Sequence, residues 1–171
     1  KANKSNKAIK YRLYPNDEQK VMFAKTFGCC RFVYNQLLAL QKQRYKDGES
    51  HLSKLKSNEF ATRTLKKDYD FLKEIDKFAV SNAVFHLADA YDRFFKKQNH
   101  FPKFKSKRKS KKSYTTNFTN NNILIGKNVI KLPKVGMVKA VIHKLPKDDW
   151  KLKSVTVSQD GVGNYFASVL F

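Results

Sequence analysis

The run Phe101-Pro102-Lys103-Phe104-Lys105-Ser106-Lys107-Arg108-Lys109-Ser110-Lys111-Lys112 sets seven cations and two aromatic rings into twelve residues. It continues into Ser113-Tyr114-Thr115-Thr116-Asn117-Phe118-Thr119-Asn120-Asn121, where hydroxyls and amides replace the charge. Both lie in a longer interval, Arg93 to Lys147, whose fifty-five residues include sixteen Lys or Arg and no Asp or Glu. Cations neutralise phosphates and release counterions. Aromatic faces stack on bases. Ser, Thr, Asn and Tyr side chains hydrogen-bond phosphates or base edges. The chemistry these residues can do together is nucleic-acid binding. The competing reading is a solvated loop that adds only non-specific affinity. The spacing of Phe101 and Phe104 around the stiff Pro102 argues against it, although these rings could equally anchor the loop to helices and leave the lysines to meet phosphates.

Two further groups carry similar chemistry. Arg31, Tyr34, Asn35 and Leu38 fall on adjacent parts of a helix. A cation, a phenol and an amide suit an RNA or DNA backbone, and capping with core packing would use the same residues. On a strand, Asn117, Thr119 and Asn121 form one set and Thr116, Phe118 and Asn120 the other. Such a polar edge could read bases, or it could be a β-edge closed by an Asn-rich turn.

Catalytic and metal chemistry find no comparable arrangement. Asp68, Asp70, Glu74 and Asp76 cluster at a helix boundary, where acids serve as caps and dipole partners. His51, His86, His100 and His143 are scattered, with no pair at ligand spacing such as i, i+4. Cys29 and Cys30 are the two cysteines. As sequence neighbours they make a poor structural disulfide, and two thiols cannot form a zinc site alone. Reduced thiols in a cytoplasm are the plain reading. No glycine-rich phosphate loop occurs. No catalytic residue and no metal ligand is therefore expected in this chain.

Composition sets the frame that must hold these groups. The 171 residues carry a formal net charge of +22, with 41% hydrophobic and 13% aromatic residues. That is too apolar for a disordered basic tail. It suits one compact domain or two small ones with the charge held on the surface. Nucleic acid is the matching polyanion. An anionic membrane is the competitor, but no helix shows a long basic face. No run approaches the roughly 18 apolar residues of a spanning helix. A cytoplasmic protein is expected.

The positioning elements follow from periodicity. The first six residues are polar and read as loose. Ala8 to Tyr14 alternates as a strand, ended by Pro15. Asn16 with Gln19 forms a capping box that opens a helix. Gly28 is expected to interrupt it. A second helix then runs from about Cys29 to Lys46, burying Phe32, Val33, Leu37, Leu40 and Tyr45, and Asp47-Gly48 stops it. A third spans Leu52 to Asp68. A fourth starts at Asp76 and continues to about Lys97, with Phe78, Ala79, Ala83, Leu87 and Tyr91 at helical spacing. Short apolar runs follow at Tyr114–Thr119, Ile123–Ile125, Val129–Leu132, Met137–Ile142, Leu152–Val157 and Tyr165–Phe171, in the rhythm of a β-barrel or small sandwich. The fold class is α+β, with about four helices inserted between a first strand and the rest of its sheet.

Six blocks, in order, resemble the N-terminal half of the TnpB family, the transposon-encoded relatives of type V CRISPR effectors. They are Tyr11-Arg12-Leu13-Tyr14-Pro15, the run from Phe27 to Asn35, the run from Asp76 to Ala83, the run from Phe101 to Arg108, the run from Ser113 to Asn122, and Lys131-Leu132-Pro133-Lys134-Val135-Gly136. The resemblance covers nearly the whole chain and implies a nucleoid-associated protein of a bacterium or archaeon. It implies an oligonucleotide-binding-like β-barrel, the wedge domain, formed by residues 1–15 and 101–171. A helical recognition domain would occupy residues 16–100. It implies a guide RNA derived from the transposon end, a double-stranded DNA target and a short transposon-adjacent motif, with pairing to the guide supplying most of the specificity. By position, Lys77, Ser81, Thr119 and Asn120 would read that motif. Ser81 departs from the longer amide found in relatives. Arg31, Tyr34, Asn35, Lys103, Lys105, Lys107, Arg108, Lys109, Lys111, Lys112 and Tyr114 would meet the nucleic-acid backbone. The family continues into a RuvC-like nuclease with three acidic metal ligands and a four-cysteine zinc ribbon. Neither is found in this sequence, so Mg2+ and structural Zn2+ are expected only in such a further part. Two other readings stay open: an RNA-guided repressor without nuclease activity, and an unguided helical DNA-binding protein.

Overall fold

The computed structural model describes residues 6–171. For residues 1–5, the expected loose start lies outside the described residues. The chain forms β1 (Ala8–Tyr14), α1 (Asp17–Lys46), α2 (Lys54–Glu59), a π-helical stretch (Phe60–Leu65), α3 (Lys66–Asp68), a 3-10 turn (Asp70–Glu74) and α4 (Lys77–Phe95). Six strands follow: β2 (Lys112–Asn117), β3 (Leu124–Ile125), β4 (Val129–Leu132), β5 (Gly136–Val141), β6 (Ser154–Gln159) and β7 (Tyr165–Leu170). They make two compact units: residues up to 24 with those from 111 on, and residues 25–110.

The first unit is a seven-stranded antiparallel sheet in the order β2-β6-β7-β1-β5-β4-β3. Strand β1, first in the chain, lies in the interior between β7 and β5. The strand–helices–strands order of the sequence is thus the order of an α+β fold. Period-2 alternation fixes the register. Tyr11 pairs with Ala167, Ala167 with Val157 and Val157 with Tyr114. All four are buried on one face. Phe23, from the start of α1, completes that core with its ring 5.5 Å from Tyr165 and 6.3 Å from Tyr114. The capping box forms as the spacing requires: Gln19 N donates to Asn16 Oδ1 at 2.8 Å and Asn16 N to Gln19 Oε1 at 3.0 Å. The ladder ends at β2 and β3, which do not pair with each other among the described residues. The sheet is therefore open in its hydrogen bonding.

The second unit is helical. Gly28 does not interrupt α1, which runs unbroken through it. Glycine in a helix interior costs only about 1 kcal/mol relative to alanine. Phe27, Cys29, Cys30 and Val33 are all buried around it, and each large apolar side chain returns more than that on burial. Tyr45, expected on the buried face, is 86% exposed. The expected third helix starts at Lys54, where the Ser53 hydroxyl accepts from Lys56 N at 3.2 Å. It then widens into the π-helical stretch. There the Thr62 hydroxyl donates to the Asn58 and Glu59 carbonyls at 3.0 and 3.2 Å, in competition with the backbone ladder. The wider turn leaves both Ala61 and Leu65 buried. In α4 the Asp76 carboxylate caps the N-terminus, accepting from Phe78 N at 3.0 Å. Ala79, Val80, Ala83, Val84, Leu87 and Tyr91 form the buried stripe of that helix. No helix among the described residues is long and apolar enough to cross a membrane.

Candidate nucleic-acid interface

The basic run is tied to the helices at Phe101, whose ring packs on Tyr91 and Phe94, and again at Lys105. In mid-run, the Asn35 amide on α1 donates from Nδ2 to the Lys105 carbonyl at 2.9 Å and accepts from Lys105 N at 2.8 Å. The side chain thus mimics a backbone partner and fixes where the run leaves the helices. Lys105 itself turns inward, with Nζ 4.3 Å from the Tyr34 ring centroid. Burial lowers its pKa below the ordinary lysine range. Burial likewise raises the Tyr34 pKa, an effect opposed by the nearby Arg93. The next residues fold into a capped turn. Lys109 N donates to Ser106 Oγ at 3.1 Å, Ser106 N to Ser110 Oγ at 2.9 Å and Ser110 N to the Ser106 carbonyl at 3.0 Å. This turn presents Lys107, Arg108 and Lys109 to solvent, and Lys103, Lys111 and Lys112 are exposed as well.

The other backbone-contact candidates face differently. Tyr34 and Tyr114 are buried, and Arg31 is half-buried on α1. The Asn35 amide is committed to Lys105. Tyr34 and Asn35 thus meet the run at Lys105, Tyr114 packs beside Phe23 in the sheet core, and Arg31 stays partly exposed.

The four motif-reading candidates fall in two places. Lys77 and Ser81 lie one turn apart on α4, Lys77 exposed at its first position and Ser81 half-buried. Thr119 and Asn120 are not on a strand, because β2 ends at Asn117. They enter a tight turn in which Asn122 N donates to the Thr119 carbonyl at 3.0 Å. Asn120 and Asn121 take φ of 47° and 56° there, the left-handed pair of a type I′ turn, which Asn tolerates. Asn122 locks it, donating from Nδ2 to the Asn117 carbonyl and accepting from Thr119 N. Thr119 and Asn120 are left exposed on a rigid tip.

The sequence reading missed a second cationic surface. On the outward face of β1, Lys10, Arg12 and Tyr14 alternate, opposite Phe166 and Ser168 of β7. The Arg12 guanidinium lies 4.9 Å from the Tyr14 ring and 5.5 Å from that of Phe166, and Lys10 Nζ lies 4.5 Å from Phe166. Arg12 Nη2 also donates to Asn164 Oδ1 at 2.7 Å. The Asp160 carboxylate positions that turn by accepting from Asn164 N and Val162 N, bonds that hold its pKa low. The available signal was the Lys-x-Arg-x-Tyr alternation inside a recognised strand. Among the described residues no group of three or more His, Cys, Asp or Glu is placed to hold a metal ion.

Comparisons with known proteins place this arrangement among relatives. Residues 5–50 match the family model described as a helix-turn-helix domain, of the OrfB IS605 type. The described part of that span holds β1 and the single unbroken α1, so no turn between two helices lies within it. A Streptomyces pristinaespiralis protein, provisionally named an RNA-guided DNA endonuclease, is 31% identical over 166 residues, covering 96% of this chain and 41% of that protein. Escherichia coli K12 InsQ, with the same provisional name, is 30% identical over 106 residues, 58% of this chain and 25% of that protein. The chain thus spans less than half the length of these two relatives. Virulence protein VsdF of Salmonella dublin is 32% identical over 111 residues, 59% of this chain and 93% of that protein. These matches, taken together, show that the chain belongs to the TnpB family.

Proposed function

We propose that this chain is the guide-RNA and DNA binding module of a TnpB-like RNA-guided DNA endonuclease. The observation that carries the reading is the capped, solvent-facing turn of Lys107, Arg108 and Lys109, continued by exposed Lys103, Lys111 and Lys112. A run of exposed cations in a stretch of sequence with no Asp or Glu is suited to a phosphate backbone. The names of two relatives, as RNA-guided DNA endonucleases, support the same reading. In it the seven-stranded sheet acts as the oligonucleotide-binding-like wedge and the helical unit as the recognition part. Lys77, Ser81, Thr119 and Asn120 read the transposon-adjacent motif, and the exposed tip at Thr119 and Asn120 suits that role. Partners are a transposon-end guide RNA and double-stranded target DNA. Cleavage, with its Mg2+ and structural Zn2+, would need a nuclease part outside these 171 residues.

The test is DNA binding by the chain with its co-purified RNA, before and after RNase, on targets flanked by randomised motifs. Specific binding that disappears with RNase is expected, together with a flanking-motif preference that relaxes on alanine substitution at Lys77, Thr119 and Asn120. Specific binding that survives RNase would overturn the guided reading in favour of unguided recognition.

A further inference from the structure

A cavity of about 630 Å3 opens in the helical unit where the end of α1, the segment at His51, the end of α4 and Phe101 come together. That size falls within the about 300–1,000 Å3 of small-ligand sites. Its walls are mostly rings. Buried Tyr91 is the hub: His51 lies 4.6 Å away edge-on, Phe95 5.8 Å away stacked, and Phe101 5.5 Å away edge-on. The wall is held from α1 by Gln41, whose amide accepts from Leu52 N at 3.0 Å and donates to the Leu52 carbonyl at 3.1 Å. Partial burial lowers the His51 pKa and so favours its neutral ring.

Three observations separate this cavity from a packing defect. Its rings are open to solvent, with Phe95 57% and Phe101 40% exposed and Tyr45 more so. Lys42 and Lys46 line it, and Lys42 Nζ sits 4.5 Å from the Phe104 ring centroid and 5.6 Å from that of Phe101. Its one acid, Glu49, is already paired with Arg44 at 2.8 Å. An apolar peptide would use the rings and leave the lysines without partners. A bare anion would use the lysines and leave the rings wet. A planar π-system attached to a phosphate uses both. The cavity also borders the basic run, since Phe101 is both a wall of the cavity and the first residue of that run.

We propose that this cavity takes one unpaired nucleotide, its base among Tyr45, Phe95 and Phe101 and its phosphate on Lys42 and Lys46. The proposal rests on the nucleic-acid-binding reading above and adds to it a sensor for a base that has left its stack. The probe is a short duplex carrying a single unpaired 2-aminopurine, made once as RNA and once as DNA, beside its fully paired counterpart. The full chain should quench the unpaired 2-aminopurine and bind the bulged duplex about tenfold more tightly than the paired one, the contribution of one stacked base. A response confined to the RNA or the DNA arm supports the proposal and identifies the strand. Tyr45→Leu/Phe95→Leu changes two solvent-exposed rings and should abolish the quench while paired-duplex binding stays unchanged. Lys42→Gln/Lys46→Gln should weaken the bulged duplex selectively. Equal binding of bulged and paired duplexes without quenching overturns the cavity proposal alone. Failure of the parent chain to bind either duplex removes the broader reading with it. Quenching unchanged by the aromatic variant, with self-association lost, would assign the rings to a second copy of the chain and overturn the proposal.

Discussion

The basic turn at Lys107–Lys109 and the aromatic cavity at Phe101 are a few residues apart on one segment, yet they depend on different forces. The turn holds its cations out in water. At the cavity, the Lys42 nitrogen lies 5.6 Å from the ring of Phe101, a cavity wall, and 4.5 Å from that of neighbouring Phe104. Exposed charge meets any phosphate and weakens with salt. A ring responds to whether a base is available to stack, and salt matters less to it. Between the two sits Asn35, whose amide fixes Lys105. One segment can thus combine general affinity with sensitivity to base pairing, provided the anchor holds.

The largest expected effect comes from removing the charge. Lys107→Ala/Arg108→Ala/Lys109→Ala should weaken duplex binding by roughly tenfold per lost phosphate contact near 0.1 M salt and flatten the logarithmic salt slope by about 0.9 per contact. Tyr45→Leu/Phe95→Leu should leave that slope unchanged. Affinity measured across a salt series checks both, and equal slopes for the two variants would dissolve the comparison. Next is the anchor. Asn35→Leu loses two hydrogen bonds and leaves the Lys105 backbone groups short of partners, at a cost of about 1–3 kcal/mol. Thermal melting should fall by about 2–4 °C per kcal/mol for a chain of this size. An unchanged melting temperature would mean that the run is held in place by something other than the amide. The smallest effect is in pH. The folded His51 favours its neutral form, so its contribution is complete above the ordinary histidine pKa of about 6.5. It is lost as pH falls through the depressed folded value. Melting between pH 7 and 5 should show a slight loss that His51→Phe reduces.

The sequence was legible wherever one period dominated. Strand β1 was bounded correctly because Ile9, Tyr11 and Leu13 alternate with Lys10, Arg12 and Tyr14. The start of α4 was legible because Asp76 is a strong cap. Gly28 misled because a local propensity of about 1 kcal/mol was set against burial that depends on partners far along the chain. Tyr45 misled in the opposite way: its helical spacing was right, but it lines an open cavity, where nothing packs over its ring. The basic run was visible as composition. Its capped turn was not, because Ser106 and Ser110 are ordinary residues until the backbone brings them together. The cavity was invisible for the same reason, as its rings come from the end of α1, from His51, from α4 and from Phe101, and only the fold gathers them.

The two ends of the strand order carry a consequence of another kind. A strand at the end of a sheet is where a second molecule most readily adds, and hence where aggregation starts. Strand β3 is only two residues long and gives little template. Strand β2 is six residues long and is introduced by Lys111 and begins with Lys112. Lysines at an edge repel a second copy approaching it. The same cations that suit a phosphate backbone thus also help keep the chain in solution. When a nucleic acid neutralises them, that protection weakens, and the bound polyanion becomes what keeps two sheets apart.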